Sequence, residues 1–212
     1  MKIGIIGAGR IGATAAGLIV KSGNEVAISN SRGPETLREL VTQLGPCVQA
    51  MTVEEAARFG DVILISIPFR KYQQLPAKIF DGKIVIDSNN YYPERDGNIP
   101  EIDLGKITSS ELLASHLSGA RIVKAFNTMW FEHLKSEGNS QLPSSERRAI
   151  FIAGDDPEAK KIVAKLIDDI GFTAVDTGSL RDGGKEQQPG SRTYNKNITA
   201  KEADSLLKGA AQ

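Results

Sequence analysis

Short apolar runs alternate with amphipathic stretches along most of the chain. "KIGIIG" is rich in Ile and runs into glycine, which predicts a strand buried on both faces. The segment from about Ile11 to Lys21 reads as a helix that stops at "SGN", and "EVAIS" predicts the second strand. "PETLRELVTQLG" places Leu37, Leu40, Val41 and Leu44 on one helical face, with Pro34 suited to the first turn and Gly45 to the C-terminal cap. "CVQAM" predicts a third strand. "TVEEAARFG" predicts a helix capped by Thr52, with Glu55 three residues on to complete a capping box. "DVILISIP", "KIVIDS", "RIVKAFN" and "AIFIAG" supply strands four to seven. "DPEAKKIVAKLIDDIG" then carries the stripe Ala159, Ile162, Val163, Leu166, Ile167 and Ile170 between Pro157 and Gly171. "FTAVDTG" closes that unit as the last strand.

Strands and helices alternating in this way imply an α/β fold with a doubly wound, mostly parallel sheet and helices on both faces. The final strand–helix–strand unit reads as a C-terminal βαβ extension of the same sheet. One segment breaks the regularity, Ser179 to Thr199, "SLRDGGKEQQPGSRTYNKNIT". It is polar, glycine-rich and too long for an idle connector, so it is expected to be a lid, a binding segment or a mobile surface tail.

Composition narrows the setting. The chain has 212 residues, 40% of them hydrophobic and 25% charged, enough to bury a core without disulfides or metals. The formal net charge of +0 gives no field-driven attraction to nucleic acid or to a membrane surface. Cys47 has no second cysteine to pair with, which suits a reducing cytoplasm. With only His116 and His133 beside it, no metal site is expected. The apolar N-terminus is interrupted by Arg10 and five glycines, unlike a signal peptide, and no stretch approaches the roughly 20 apolar residues of a membrane span.

The chemistry concentrates at "GAGRIG", Gly7 to Gly12. A G-x-G-x-x-G turn that follows a strand and opens a helix is the context in which this pattern binds dinucleotides. Gly7 permits the tight turn, Gly9 lets a pyrophosphate approach, and Gly12 lets the helix pack on the sheet. A Rossmann-type dinucleotide-binding domain over residues 1–147, with an extension over 148–212, follows. After the second strand, where NAD- and FAD-binding versions carry an acid for the ribose hydroxyls, "VAISNSRGP" has none. Ser31 offers a hydroxyl and Arg32 a guanidinium fork that matches phosphate geometry, with Asn30 and Thr36 as further hydrogen-bonding groups. These residues favour NADP(H) over NAD(H). "SIPF" places Pro68 and Phe69 at a strand end, where ligands bind in such sheets.

"GIIGAGRIG", "SNSRGPETL", "DSNNYYPERDG", "KAFNTMW" and "QPGSRTYN" together resemble the bacterial NADP oxidoreductase family related to the F420-dependent NADPH reductases, over about the whole chain. "KAFNT" is similar also to the NADPH-binding domain of the six-transmembrane ferric reductases. The resemblance implies an NADP(H)-dependent oxidoreductase that passes hydride between the nicotinamide and a deazaflavin or flavin, F420 first among them. It implies a homodimer. It places Gly7, Ala8, Gly9, Arg10, Ile11 and Gly12 on the pyrophosphate, and Ser31 and Arg32 on the 2′-phosphate. Ile67 and Pro68 become strand-end lining, and Asn89, Ala125, Phe126 and Asn127 border the nicotinamide.

Little acid–base machinery accompanies this. No Tyr-x-x-x-Lys pair and no Gly-x-Ser-x-Gly elbow is present. Hydride transfer between two rings needs positioning above all. Asn127 is expected to orient the carboxamide, Lys124 to be a strand-end surface charge, and Cys47 a buried structural thiol. His116 is expected at a helix C-terminus, where its charge suits the dipole, and His133 at the surface. Tyr91 and Tyr92 follow the fifth strand and are expected to stack on a flat ring or cap the pocket edge. Two alternatives stay open: reduction of a small imine, carbonyl or metal chelate, and a redox sensor that binds NADPH without turnover.

Overall fold

The computed structural model describes residues 1–209. Eight strands form one sheet: β1 (Lys2–Ile6), β2 (Glu25–Ser29), β3 (Val48–Ala50), β4 (Val62–Ile65), β5 (Ile84–Asp87), β6 (Arg121–Lys124), β7 (Ala149–Gly154) and β8 (Thr173–Asp176). Their spatial order is β3-β2-β1-β4-β5-β6-β7-β8. All neighbours run parallel except β6 and β7, which pair antiparallel through Val123 with Gly154 and Lys124 with Ala153. The helices are α1 (Arg10–Lys21), α2 (Arg38–Leu44), α3 (Val53–Phe59), α4 (Pro93–Asp96), α5 (Pro100–Asp103), α6 (Ser109–His116), α7 (Phe131–Ser136), α8 (Pro157–Asp169), α9 (Asp182–Glu186) and α10 (Ala200–Lys208).

The near-continuous apolar strands are explained by burial on both faces. Side chains alternate along each strand. Ile3, Ile5, Val62, Leu64, Ile84 and Ile86 join one core, packed with Ala15 and Ile19 of α1 and Val163 and Leu166 of α8. Ile63, Ile65 and Val85 point the other way, to a core with Ala56 and Ala57 of α3 and Leu113 of α6. Gly4 lies under α3, where a Cβ would stand 2.2 Å from the Ala56 carbonyl. The Thr52 capping box is present, with the Thr52 hydroxyl accepting from the Glu55 N–H and the Glu55 carboxylate accepting from the Thr52 N–H. The helix expected from Pro34 begins as a 3-10 turn, Pro34–Leu37, and continues as α2; Leu37 is buried and Leu40, Val41 and Leu44 of α2 pack against the first core.

Four expectations need correction. Cys47 is exposed, because β3 is a three-residue edge strand that begins only at Val48. Ile162 is 36% exposed: on α8 it lies on the flank of a stripe whose centre is Ala159, Val163, Leu166 and Ile170. Lys124 is 1% exposed, so it is a core residue and no surface charge. Ser179–Thr199 is no loose surface tail. It contains α9, and Gln187 and Thr193 within it are wholly buried. The glycines of "RDGGKE" make that packing feasible, since a Cβ on Gly183 would stand 2.7 Å from Thr177.

Candidate active site

The strand order reverses at β1 and β4, so the connections after these two strands leave in opposite directions and open a crevice at their C-terminal ends. A cleft of about 710 Å³ lies there. Its lining comes from the glycine turn (Ile6, Gly7, Ala8, Gly9), the β2 end (Asn30, Ser31, Arg32), the β4 end (Ser66, Ile67, Pro68), the following segment (Lys71, Gln74, Leu75, Pro76) and the start of α3 (Val53, Glu54).

The three glycines of the turn are required for different reasons. Gly7 has φ +109° and a Cβ there would stand 2.1 Å from the Ser66 carbonyl. A Cβ on Gly12 would stand 2.0 Å from the Gly7 carbonyl. These two are demanded by the fold. Gly9 has ordinary extended angles, φ −75° and ψ −172°, and a Cβ there would meet no atom within 4 Å. Nothing in the protein requires glycine at position 9, whereas a ligand lying against the backbone would. Gly9 is also the N-cap of α1, with no side-chain cap, and the first turn of this 12-residue helix carries no acid. Its N–H groups and positive dipole end are left for an anion.

At the β2 end, the Asn30 carboxamide builds the turn: its Oδ1 accepts from the Arg32 N–H at 2.8 Å and its Nδ2 donates to Thr36 Oγ1 at 2.8 Å. The Thr36 hydroxyl donates in turn to the Gly33 carbonyl at 2.8 Å, so Asn30 and Thr36 are engaged within the turn. Ser31 and Arg32 are exposed at the cleft, and among the described residues no ion pair engages the Arg32 guanidinium. Two acids do lie close by, contrary to the acid-free picture of the linear stretch. Glu54 lines the cleft, its carboxylate 3.8 Å from Arg58. Glu35 turns back over Gly33, where a Cβ would stand 2.4 Å from its Oε1. Glu54 was invisible in the sequence because it arrives from α3, and so was Lys71, which adds a second cation to the lining.

Not all of the turn faces the cleft. Arg10 swings out over the Phe131 ring, 4.9 Å from its centroid, Ile11 packs against the first core, and Gly12 is buried. The same holds for the residues expected at the nicotinamide. Asn89, Ala125, Phe126 and Asn127 are all buried, 0–4% exposed, at the C-terminal ends of β5 and β6 and outside the cleft lining. Phe126 has φ +66°, an uncommon conformation for a bulky residue. It sends the Phe126 ring into the first core while the Asn127 amide bonds across to Asn90.

A buried polar network underlies these amides. Lys124 Nζ donates to Ser110 Oγ at 2.9 Å and to the Asn89 carbonyl at 3.1 Å, and lies 3.4 Å from Asp87 Oδ2. Ser110 Oγ donates to the same Asp87 oxygen at 2.6 Å, and the Asn89 N–H donates to Asp87 Oδ1 at 3.0 Å. The ammonium is thus consumed inside the scaffold. Asn89 is held by every polar atom but one: Oδ1 accepts from the Ile67 N–H at 2.8 Å, and Nδ2 has no partner. Asn127 is the complement, with Nδ2 donating to the Gln187 carbonyl at 2.7 Å and Oδ1 unpartnered. Both orientations are dictated by backbone partners of fixed character. One unpaired donor and one unpaired acceptor therefore stand at the ends of the neighbouring strands β5 and β6.

The aromatic and histidine expectations resolve differently. Tyr91 is buried, donating to Asp103 Oδ1 at 2.8 Å and accepting from the Ile99 N–H at 2.8 Å, and its ring meets Phe69 edge-on. It is part of the core and stacks on no ligand. Tyr92 is half-buried, with its hydroxyl against that of Tyr194, whose phenol is pushed up by burial and by the Tyr92 hydroxyl. His116 ends α6 and contacts the Leu75 carbonyl at 2.8 Å, and His133 pairs with Glu137.

Fold and cleft are those of a Rossmann-type dinucleotide-binding protein, open at the glycine turn and closed at the buried amides. A sequence profile of the family described as NADP oxidoreductase, coenzyme F420-dependent, matches residues 2–91. The solved structure of a hypothetical protein from Sinorhizobium meliloti is 30% identical, covering 94% of this chain and 95% of that one, with a TM-score of 0.81. The chain belongs to this NADP-dependent oxidoreductase family. A structure from Arthrobacter sp. FB24, described as a "putative f420 dependent nadp-reductase", has a TM-score of 0.70 at 22% identity over 99% of this chain and 91% of that one, a likeness of fold. Metalloreductase STEAP3 of Rattus norvegicus is 31% identical over 182 residues, 84% of this chain. The chain spans about a third of that relative's length, 34%. Among the described residues no helix is long and apolar enough to cross a membrane.

Proposed function

We propose that the protein binds NADP(H) along the β1–β4 crevice and exchanges hydride with a flat ring acceptor, F420 first among the candidates. In this reading the pyrophosphate lies over Gly7, Ala8 and Gly9 at the α1 N-terminus. The 2′-phosphate takes the Ser31 hydroxyl and the Arg32 fork. Ile67 and Pro68 form the floor beneath the ribose, and the nicotinamide carboxamide pairs with Asn89 Nδ2 and Asn127 Oδ1. The carrying observation is Gly9: a glycine at the mouth of the cleft that neither backbone angle nor packing explains.

Bound NADPH would supply the hydride itself. The residues at the ends of β5 and β6 are suited to hold and orient the ring. The two amides have one free hydrogen-bonding atom each, and Lys124 is locked to Asp87 and Ser110. No group there is poised as a proton donor to a carbonyl, so the site favours direct ring-to-ring transfer over acid-assisted carbonyl reduction. We expect the functional unit to be a cytoplasmic homodimer with a small redox acceptor as its only other partner.

A second reading, reduction of a ferric chelate, is favoured by the likeness to the metalloreductase. Anaerobic stopped-flow oxidation of NADPH with F420, FMN, FAD or ferric citrate separates these. Saturable oxidation with F420 alone supports the first reading, and oxidation with ferric citrate alone supports the second. Tight NADPH binding with no oxidation by any acceptor contradicts both and leaves a sensor.

A further inference from the structure

A second cavity, of about 420 Å³, lies between α1, α2 and α7. Its α1 residues are Arg10, Ala13, Thr14, Gly17, Leu18 and Lys21, on the face opposite the buried stripe Gly12, Ala15, Ala16 and Ile19. Leu44 of α2 and Phe131 of α7 complete a partly buried, apolar floor. Arg10, Lys21 and Lys135 line it and are exposed. No acid lines it, and among the described residues no ion pair engages any of these three cations. Glu39 accepts from Gln43 Nε2 at 3.3 Å but is outside the lining. In a chain of net charge +0 this is a local excess of positive charge. Gly17 keeps the floor open: a Cβ there would meet Leu44 Cδ2 at 3.2 Å.

We propose that this groove is a binding site for an extended chain of two or three carboxylates on apolar stems, an oligoglutamate being the simplest. Arg10 and Lys21 stand at the two ends of α1, about 16 Å apart along its axis. A single compact anion meets one end at a time, whereas a chain of carboxylates meets both. Lys135, one turn beyond Phe131 on α7, supplies the third cation. The methylene stems lie on Leu18, Leu44 and Phe131, and the Arg10 guanidinium is already braced over the Phe131 ring, 4.9 Å from its centroid. The groove adjoins the crevice, since Gly9 lines one and Arg10, the next residue, lines the other. Two sources offer this chemistry: a free acidic peptide, or the oligoglutamate tail of the acceptor F420, entering at Arg10. The second source alone rests on the acceptor reading above.

The test is an NMR titration of ¹⁵N-labelled protein with acetylated triglutamate, acetylated triglutamine and inorganic phosphate at physiological ionic strength. Triglutamate is expected to give saturable shifts at the Thr14, Gly17, Lys21 and Lys135 amides, and triglutamine none. The double variant Lys21→Gln, Lys135→Gln is expected to bind triglutamate about tenfold more weakly, two exposed ion pairs, and NADP⁺ as wild type does. Both lysines are exposed, and the wild-type comparison of the two peptides requires no variant. Absence of saturable shifts in the groove would overturn the proposal. So would an equal response to triglutamine, phosphate binding as tight as triglutamate, or unchanged affinity in the double variant. The source is then read from NADPH oxidation by F420 and by its tail-free deazaflavin. A KM raised in the double variant for F420 alone, with kcat unchanged, assigns the groove to the acceptor's tail. An unchanged KM for both assigns it to a free acidic peptide and leaves ring-to-ring transfer intact. Oxidation by neither defeats the acceptor reading, while the peptide titration still decides the groove.

Discussion

The two ends of the site are built on opposite plans. The end where we place the phosphates, the phosphate end, is made by one contiguous βαβ unit, residues 2–29, and the turn that follows it. It is open, and what it offers a ligand is mainly backbone: N–H groups at an uncapped helix start and a glycine that leaves space. The amide end is assembled from residues 87–90, 124–128 and 187–195, with Ser110 beneath. It is closed to solvent, and what it offers is side-chain amides with one atom each unpaired. An anion that is mostly charge can be met by an exposed helix end. A neutral ring must be recognised by geometry, which needs a rigid and desolvated frame.

The difference predicts where substitutions act on folding and where on binding. The largest effect is expected at the frame of the amide end. Asp87→Ala leaves the Lys124 ammonium buried without its anion and should cost about 3–5 kcal/mol of stability. Asp87→Ala with Lys124→Met should recover part of that loss, since both charges are then gone. Chemical denaturation of the two variants checks this, and equal stability of the single and double variants would contradict it.

At the phosphate end the glycines should separate. Gly12→Ala forces a Cβ to 2.0 Å from a carbonyl and should destabilise by about 1–3 kcal/mol. Gly9→Ala meets nothing and should hold stability within about 0.5 kcal/mol while weakening NADP(H) at least about tenfold. Thermal melts beside a binding titration give both readouts. Normal binding by Gly9→Ala would remove the strongest support for a ligand at this turn.

The smallest effect lies away from both ends. Asp156 caps α8 and takes Arg121 Nε and Nη2 on its two oxygens, which hold its carboxyl far below the usual carboxylate range. Because the folded value is depressed, this contribution is complete above the unfolded value near 3.9 and fades as pH falls through the folded one. The Tm difference between wild type and Asp156→Ala should be constant from pH 7 to about 5 and shrink below about pH 4. A difference that grows on acidification would contradict the pairing.

The same contrast explains what could be read in advance. Strand and helix positions followed from period-2 and period-3.6 patterns, and the phosphate end from residues adjacent in the chain. Ser31 and Arg32 were legible because seven contiguous residues, Asn30 to Thr36, carry the whole turn. Glu54 and Lys71 were not, since one reaches the cleft on α3 and the other in the segment that follows β4. Lys124 looked like a strand-end charge because its partners, Asp87 and Ser110, are 37 and 14 residues away. Tyr91 looked like a ring for stacking until Asp103 and Ile99 claimed its hydroxyl. Cys47 was misplaced by one residue of edge strand. Gln187 carried no local signal beyond its irregular, glycine-rich surroundings.

The most direct test of the two-ended site is a comparison of NADP⁺ and 2′,5′-ADP binding by Arg32→Ala and Asn127→Leu. Arg32→Ala should weaken both ligands by the same factor, at least about tenfold, one charge-assisted bond to the 2′-phosphate, and leave NAD⁺ almost unchanged. Asn127→Leu should weaken NADP⁺ and spare 2′,5′-ADP. If Arg32→Ala weakens NAD⁺ as much as NADP⁺, or Asn127→Leu weakens the two phosphate ligands alike, the cofactor does not lie along the crevice as described.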